Sequence, residues 1–188
     1  MTDRADEIHQ FVTAILGEQT GWVVCGLMDK AGPRGRPTIQ RDFFYHDGLE
    51  DLVEWADSHQ TTDVYMSPLV YGEMRKADGA IRRIPENAKS SLVVYQDSDT
   101  CPASRFRVAP SIHVDSSAGK AQDYWVLTEP VTAERAADAS RRIAVAHRQD
   151  GSDPSSWSAN KFLRLLGTNT RHGFPEPVEA SLSGALYS

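Results

Sequence analysis

Asp97-Ser98-Asp99 closes an apolar run, Ser91-Leu92-Val93-Val94-Tyr95. Side chains of a strand alternate faces, so Asp97 and Asp99 are expected to project together, near enough to share a divalent cation. Paired carboxylates repel each other, and Mg²⁺ or Mn²⁺ relieves that repulsion through the oxygen ligands such ions prefer. Two acids at an exposed strand end are also a common solvated turn, so the pair alone leaves both readings open. A second chemistry-bearing stretch is Ser116-Ser117-Ala118-Gly119-Lys120-Ala121-Gln122. Its small residues let backbone N–H groups approach an anion, and Lys120 adds a point charge suited to phosphate. The bland alternative is a plain hairpin turn. His113, just upstream, reads either as a ligand or as a packed, hydrogen-bonded histidine. Asp153, in Gly151-Ser152-Asp153-Pro154, precedes Arg164 by eleven residues. It is either a further acid of the site or a helix cap, since Asp-Pro commonly opens a helix. Arg164, Arg171, His172 and the run Arg75–Lys89, with Arg82 and Arg83, are surface charges or the wall of a groove. No Cys-His or Ser-His-Asp set suggests a nucleophilic side chain.

Helices and strands must position these groups. Ile8, Phe11, Val12, Ile15 and Leu16 repeat with a helical period, and Gly17 ends the helix. Gly21–Met28, Asp42–His46 and Asp63–Met66 read as strands. Between the second and third, Asp47 is expected to cap a helix carrying Leu49, Leu52, Val53 and Ala56. Asp29–Arg41 is a turn-rich, basic stretch, and Tyr71–Lys89 is polar without a strong period. The run into Asp97 is the central strand. Pro110–Asp115 and Asp123–Leu127 flank the small-residue turn as a hairpin. Thr132 is expected to cap a long helix to about Arg148, packed through Ala136, Ala139, Ile143 and Ala146.

The chain of 188 residues is one domain's worth, with 40% hydrophobic residues and a net charge of −6 from 20 bases and 26 acids. That composition excludes disordered, collagen-like and disulfide-scaffold classes. Two cysteines, Cys25 and Cys101, point to a reducing cytoplasm. No apolar run is long enough for a membrane helix, and no membrane partner is expected. The acidic balance argues against coating nucleic acid by bulk charge, but leaves room for a local basic groove. The class is α+β, with a mixed or antiparallel central sheet flanked by helices. Residues 1–172 are expected to form the domain, with 1–90 an N-terminal subregion and 91–172 carrying the motifs. Residues 173–188 read as a tail or linker.

The order of these features is a D-x-D strand end, a small-residue hairpin, a helix, an acid and an Arg-x-x-Gly-Thr turn. With the entry Asp63-Val64-Tyr65-Met66 and the exit Tyr124-Trp125-Val126-Leu127-Thr128-Glu129-Pro130-Val131, this order, from Gly21 to His172, resembles the archaeo-eukaryotic primase superfamily. The likeness is to the primase-polymerase domains of phages and plasmids. It implies an RRM-like catalytic core in which Asp97, Asp99 and Asp153 hold two Mg²⁺ or Mn²⁺ ions. It also implies nucleotide contacts from the hairpin Ser117–Gln122, with Ser117, Lys120 and Gln122, and from Arg164. Gln122 stands where the family has histidine, and His113, in a literal Ser-Ile-His, is the competing candidate. Leu166 replaces a family proline, and Arg171 and His172 stand near its terminal lysine. With Arg82 and Arg83, those two residues are the expected DNA contacts.

The implied reaction is template-directed nucleotidyl transfer from an NTP or dNTP to a 3′-hydroxyl, on single-stranded DNA. The implied setting is phage or plasmid replication in the cytoplasm of a bacterial host, fused to or acting with a helicase beyond Ser188. Two other classes compete. Gln122 and the missing proline favour a non-catalytic replication-origin or single-strand binding module, which the three acids argue against. A metal-dependent nuclease would also cluster acids, but no lysine or histidine base adjoins the D-x-D.

Overall fold

A computed structural model describes residues 4–28, 38–59, 61–170 and 176–188. Its helices are α1 (Arg4–Leu16), α2 (Leu49–Ser58) and α3 (Ala133–Ala146). Its strands are β1 (Gly21–Leu27), β2 (Ile39–Tyr45), β3 (Val64–Met66), β4 (Val70–Tyr71), β5 (Ala88–Asp99), β6 (Ile112–Ser117), β7 (Lys120–Thr132), β8 (Leu163–Arg164), β9 (Asn169–Thr170), β10 (Glu176–Pro177) and β11 (Glu179–Leu182). The main sheet runs β11-β6-β7-β5-β4-β1-β3-β8, with β2 also on β1, and its ladders are antiparallel. This is the α+β arrangement expected from the pattern.

The two faces of the sheet are covered differently. On one face, α1 buries Ile8, Phe11, Val12, Ile15 and Leu16, and α2 buries Leu49, Leu52, Val53 and Ala56. These join Val93, Tyr95, Val114, Tyr124 and Val126 in the main core. Each such large side chain contributes about 2 kcal/mol of apolar transfer. The Phe11 ring meets Tyr124 edge-on at 5.7 Å. α1 stops at Gly17, whose φ of +55° is a left-handed closure that residues with a Cβ adopt at a cost. On the other face, α3 covers β5, and a smaller cluster gathers Val94, Cys101, Phe106 and Trp125. No helix among the described residues is long and apolar enough to cross a membrane.

Three local expectations change. α2 starts at Leu49 with Gly48 as its cap residue and without a side-chain cap, so Asp47 does not cap it. On α3 the expected Ala136 is buried and Ala139 and Ile143 pack on the smaller cluster, but Ala146 is exposed, and Ala133, Ser140 and Ala144 join the buried stripe. The polar Ser140 belongs in the stripe because its Oγ accepts the Tyr95 backbone N–H at 3.1 Å. The expected cap does form, with Thr132 Oγ1 accepting the Arg135 amide at 3.3 Å. Third, residues 178–187, where a tail or linker is expected, pack on the sheet. Glu179–Leu182 pairs with Ile112–Asp115 as an edge strand, Val178 is buried, and the Tyr187 amide donates to Val126 O at 2.9 Å. An edge strand has unpaired backbone groups, and this segment satisfies those of β6.

Candidate functional site

Strand register decides which groups meet. Asp97 of β5 stands opposite Gln122 of β7, which stands opposite Val114 of β6. One position along, Asp123 stands opposite both Gln96 and His113. Directly opposed residues share a face, so Asp97 and Gln122 face one way, and Gln96, Asp123 and His113 the other. Between Asp97 and Asp99 the register shifts by one residue, and Asp99 takes a φ of +48°, which aspartate tolerates better than most residues. Both acids still open on one cleft of about 440 Å³, whose walls include Ser117, Lys120, Gln122, Arg164, Tyr65 and Phe162.

Charges in and beside this cleft are paired. Lys120 Nζ lies 2.9 Å from Asp99 Oδ1. Lys161 Nζ is shared between Asp97 Oδ2 at 2.9 Å and Asp153 Oδ2 at 3.2 Å, which joins Asp153 to the pair from its own turn. That turn is fixed twice: the Asp153 amide donates to Asp97 O at 3.1 Å, and Asp153 Oδ1 accepts the Ser155 amide at 2.8 Å. Asp153 is thus both the cap of its turn and a neighbour of the D-x-D.

Burial pushes the Asp97 carboxyl above the usual range, Lys161 opposes this, and the like charges of Asp99 and Asp153 add to it. For Asp153, burial raises its pKa, but the Ser155 hydrogen bonds and Lys161 together bring it below the ordinary value. For Lys161, burial lowers its pKa, yet Asp97 and Asp153 prevail and keep it an ammonium. Lys120 is raised by its hydrogen bond to Asp99.

Arg164 is buried with its Nη1 2.9 Å from Asp63 Oδ1, a charge pair without well-aligned N–H donation. Its guanidinium lies 5.0 Å from the Tyr65 ring centre. The Arg164 amide donates to Gln122 Oε1 at 3.0 Å, so Gln122 ties the β8 segment to β7 in the cleft wall. Arg83 stacks over Phe162 at 3.5 Å and donates to the Asn160 carbonyl, one layer behind the cleft. Arg82 is exposed on the neighbouring excursion, pinned by its amide to Met74 O at 2.7 Å.

Of the two hairpin candidates, Gln122 lines the cleft. His113 does not line the cleft. Its Nδ1 is 2.7 Å from Asp123 Oδ1 on the α3 face, and Ser98 Oγ donates to the other oxygen of that fully buried carboxylate. Burial raises the Asp123 carboxyl, against the hydrogen bonds from Ser98 and His113. Arg171 and His172 lie outside the described residues. Sequence reasoning missed Lys161, eight residues past Asp153, and the aromatic walls Tyr65 and Phe162. Tyr65 sat in a strand already marked, on its outward-alternating position; Lys161 carried no periodic signal.

Solved structures with the same architecture include the catalytic domain of primase RepB′ in complex with initiator DNA, at 18% identity and TM-score 0.64, covering 98% of this chain and 88% of that one. A longer chain of primase RepB′ matches at 18% identity and TM-score 0.62, with 98% of this chain but 58% of that one covered. The AEP domain of the Cyanophage S-2L primase-polymerase matches at 16% identity and TM-score 0.66, covering 98% and 93%. No family model matches the sequence, and no curated protein is significantly similar to it. The fold is that of the archaeo-eukaryotic primase and primase-polymerase catalytic domains.

Proposed function

We propose that this chain is a DNA primase-polymerase domain, transferring nucleotidyl groups from an NTP or dNTP to a 3′-hydroxyl on a single-stranded DNA template. One observation carries the reading. Asp97, Asp99, Ser117, Lys120, Gln122 and Arg164 line one cleft, and Lys161 couples Asp153 to it. A module that merely held DNA would have no use for two carboxylates opening on its cleft with a third joined to them through a lysine.

The donor set fits a divalent cation. The acids already attract cations in pairs, with the Lys161 ammonium between Asp97 and Asp153 and the Lys120 ammonium on Asp99. Asp97, Asp99 and Asp153 would hold Mg²⁺ or Mn²⁺, as hard oxygen ligands do. The chemistry such an ion would supply there is to lower the pKa of an attacking hydroxyl and to offset charge on the transferring phosphate. Once released from the acids, Lys120 and Lys161 are free to meet the triphosphate. Arg164 adds a fixed positive charge to the same wall. Gln122 holds that wall in place through the Arg164 amide. Ser117 and the turn around Gly119 offer small groups against which phosphate oxygens can approach closely. Tyr65 and Phe162 give the same cleft an aromatic wall suited to a nucleotide base or sugar. Arg83, stacked behind Phe162, and the exposed Arg82 extend the positive surface towards a template backbone. Partnership with a helicase, encoding by a phage or plasmid, and a cytoplasmic site of action belong to the same proposal.

The test is incubation of the chain with single-stranded template, labelled NTPs or dNTPs and Mg²⁺ or Mn²⁺, with products separated by length. Synthesis or extension supports the reading. Template retention without synthesis points to the binding module, and template shortening points to a nuclease.

A further inference from the structure

On the opposite side of the sheet from the cleft, Cys101, His147 and Asp150 bring a sulfur, an imidazole nitrogen and a carboxylate oxygen within 4.8 Å of one another. They come from two segments. Cys101 follows Asp99 by two residues, and its amide donates to Ser98 O at 2.8 Å. His147 is the C-cap of α3, and Asp150 ends the single 3₁₀ turn Arg148–Asp150, three residues before Asp153. Backbone bonds already join the segments, from Thr100 N to Gly151 O at 3.4 Å and from Asp153 N to Asp97 O at 3.1 Å.

The chemistry of this cluster differs from that of the carboxylate cleft. A thiolate, an imidazole and a carboxylate make a mixed set suited to zinc, whereas Mg²⁺ and Mn²⁺ favour oxygen alone. His147 Nδ1 and Asp150 Oδ2 are 3.0 Å apart, and two such ligands on a tetrahedral zinc sit about 3.3 Å apart. The Phe106 ring meets the His147 ring edge-on at 4.8 Å and sets its orientation. The carbonyl end of α3 carries partial negative charge towards the same point. The carboxylates of Asp150 and Asp123 add negative charge beside Cys101, which favours a dication there. Cys101 is buried, while the Asp150 side chain is 34% exposed and gives an ion a way in.

We propose that Cys101, His147 and Asp150 form a zinc site, with water in the fourth position, that fastens the end of β5 to the turn preceding Asp153. Two anionic ligands neutralise the dication, and binding releases the thiol proton to solvent. The ion thereby holds Asp97 and Asp99 in fixed relation to Asp153 from behind the sheet. The site stands whether or not the cleft transfers nucleotides.

Cobalt is the probe, because a thiolate ligand gives Co²⁺ a near-ultraviolet sulfur-to-metal charge-transfer band that oxygen ligands cannot. The full chain, freed of metal by chelator and supplied with excess Mg²⁺ to occupy the cleft, is titrated with Co²⁺ and then with Zn²⁺. The expected result is one equivalent of Co²⁺ with that band, displaced by Zn²⁺ and accompanied by a rise in melting temperature. Asp97→Asn keeps the band and Cys101→Ser loses it. Asp150→Asn, at a partly exposed position that tolerates the change, weakens Zn²⁺ at least tenfold. Co²⁺ uptake without the band in the parent chain overturns the proposal. So does a band that persists in Cys101→Ser or an Asp150→Asn variant with unchanged Zn²⁺ affinity. Should Cys101→Ser fail to fold, the parent spectrum and Asp150→Asn decide.

Discussion

Replacing Lys161 by methionine separates two roles that its ammonium combines in the metal-free protein. Nζ lies 2.9 Å from Asp97 and 3.2 Å from Asp153. Unit charges about 3 Å apart attract by roughly 5–6 kcal/mol at an effective dielectric near 20, and desolvation offsets much of that. Deleting one partner of a fully buried pair costs about 3–5 kcal/mol. The Lys161, Asp97 and Asp153 side chains keep 19%, 24% and 22% of their surface exposed, so the cost here is about 2–3 kcal/mol. For a chain of this length that lowers the melting temperature in chelator by roughly 4–12 °C. A divalent cation that must displace the ammonium in the parent meets open carboxylates in Lys161→Met. Its affinity therefore rises, by roughly 30- to 150-fold for 2–3 kcal/mol. Methionine keeps the length and the apolar stem. Thermal melts with chelator and Mn²⁺ titrations followed by electron paramagnetic resonance give the two numbers. Lower metal-free stability together with tighter Mn²⁺ is the expected pair. Mn²⁺ affinity that stays the same or weakens refutes the competition, and an unchanged melt in chelator refutes the ion pair.

The two former rivals of the hairpin should separate kinetically: Gln122→Ala raises the KM for nucleotide, whereas His113→Ala leaves KM unchanged and destabilises by about 1–3 kcal/mol by stripping a partner from buried Asp123. Because the folded-state pKa of Asp123 is raised, its ionisation penalises the fold as pH climbs from the unfolded value near 4 through the folded one. Asp123→Asn removes that penalty, so its stability relative to the parent declines as pH falls through this window; urea melts from pH 7 to 3 check the sign, and a constant difference contradicts it. Gly151→Ala sets a Cβ 2.3 Å from Thr100 Oγ1 at a φ of +107°. It should cost at least about 1–2 kcal/mol and reduce synthesis, since it displaces the turn that carries Asp153; a variant as stable and active as the parent would contradict that geometry.

How much of this was legible in the sequence depended on how local the cause was. The stripe of α1 and the alternation that aims Asp97 and Asp99 together are properties of single elements, and both survive in the structure. Whether Gln122 or His113 faces those acids depends on register across β5, β6 and β7. Irregularities after Asp115 and Asp97 shift that register, and a one-residue slip exchanges faces. Ser140 was overlooked because its seat on β5 is secured by a hydrogen bond, which hydrophobic periodicity does not record. Lys161 belongs to an irregular segment placed by the Tyr71 and Tyr95 hydroxyls, which donate to Ala159 O and to the Trp157 and Ser158 carbonyls. The Glu179–Leu182 strand is too short for alternation to stand out, and pairing with β6 defines it.

The central claim is that Asp97 and Asp99 make this cleft a site of nucleotidyl transfer. Template-dependent incorporation of labelled nucleotide, measured with Mg²⁺ or Mn²⁺ for the parent chain beside folded Asp97→Ala and Asp99→Ala variants, tests it most directly. Product from the parent and its loss in both variants is the expected result. No product from the parent with either ion, or product that persists in both variants, would contradict it.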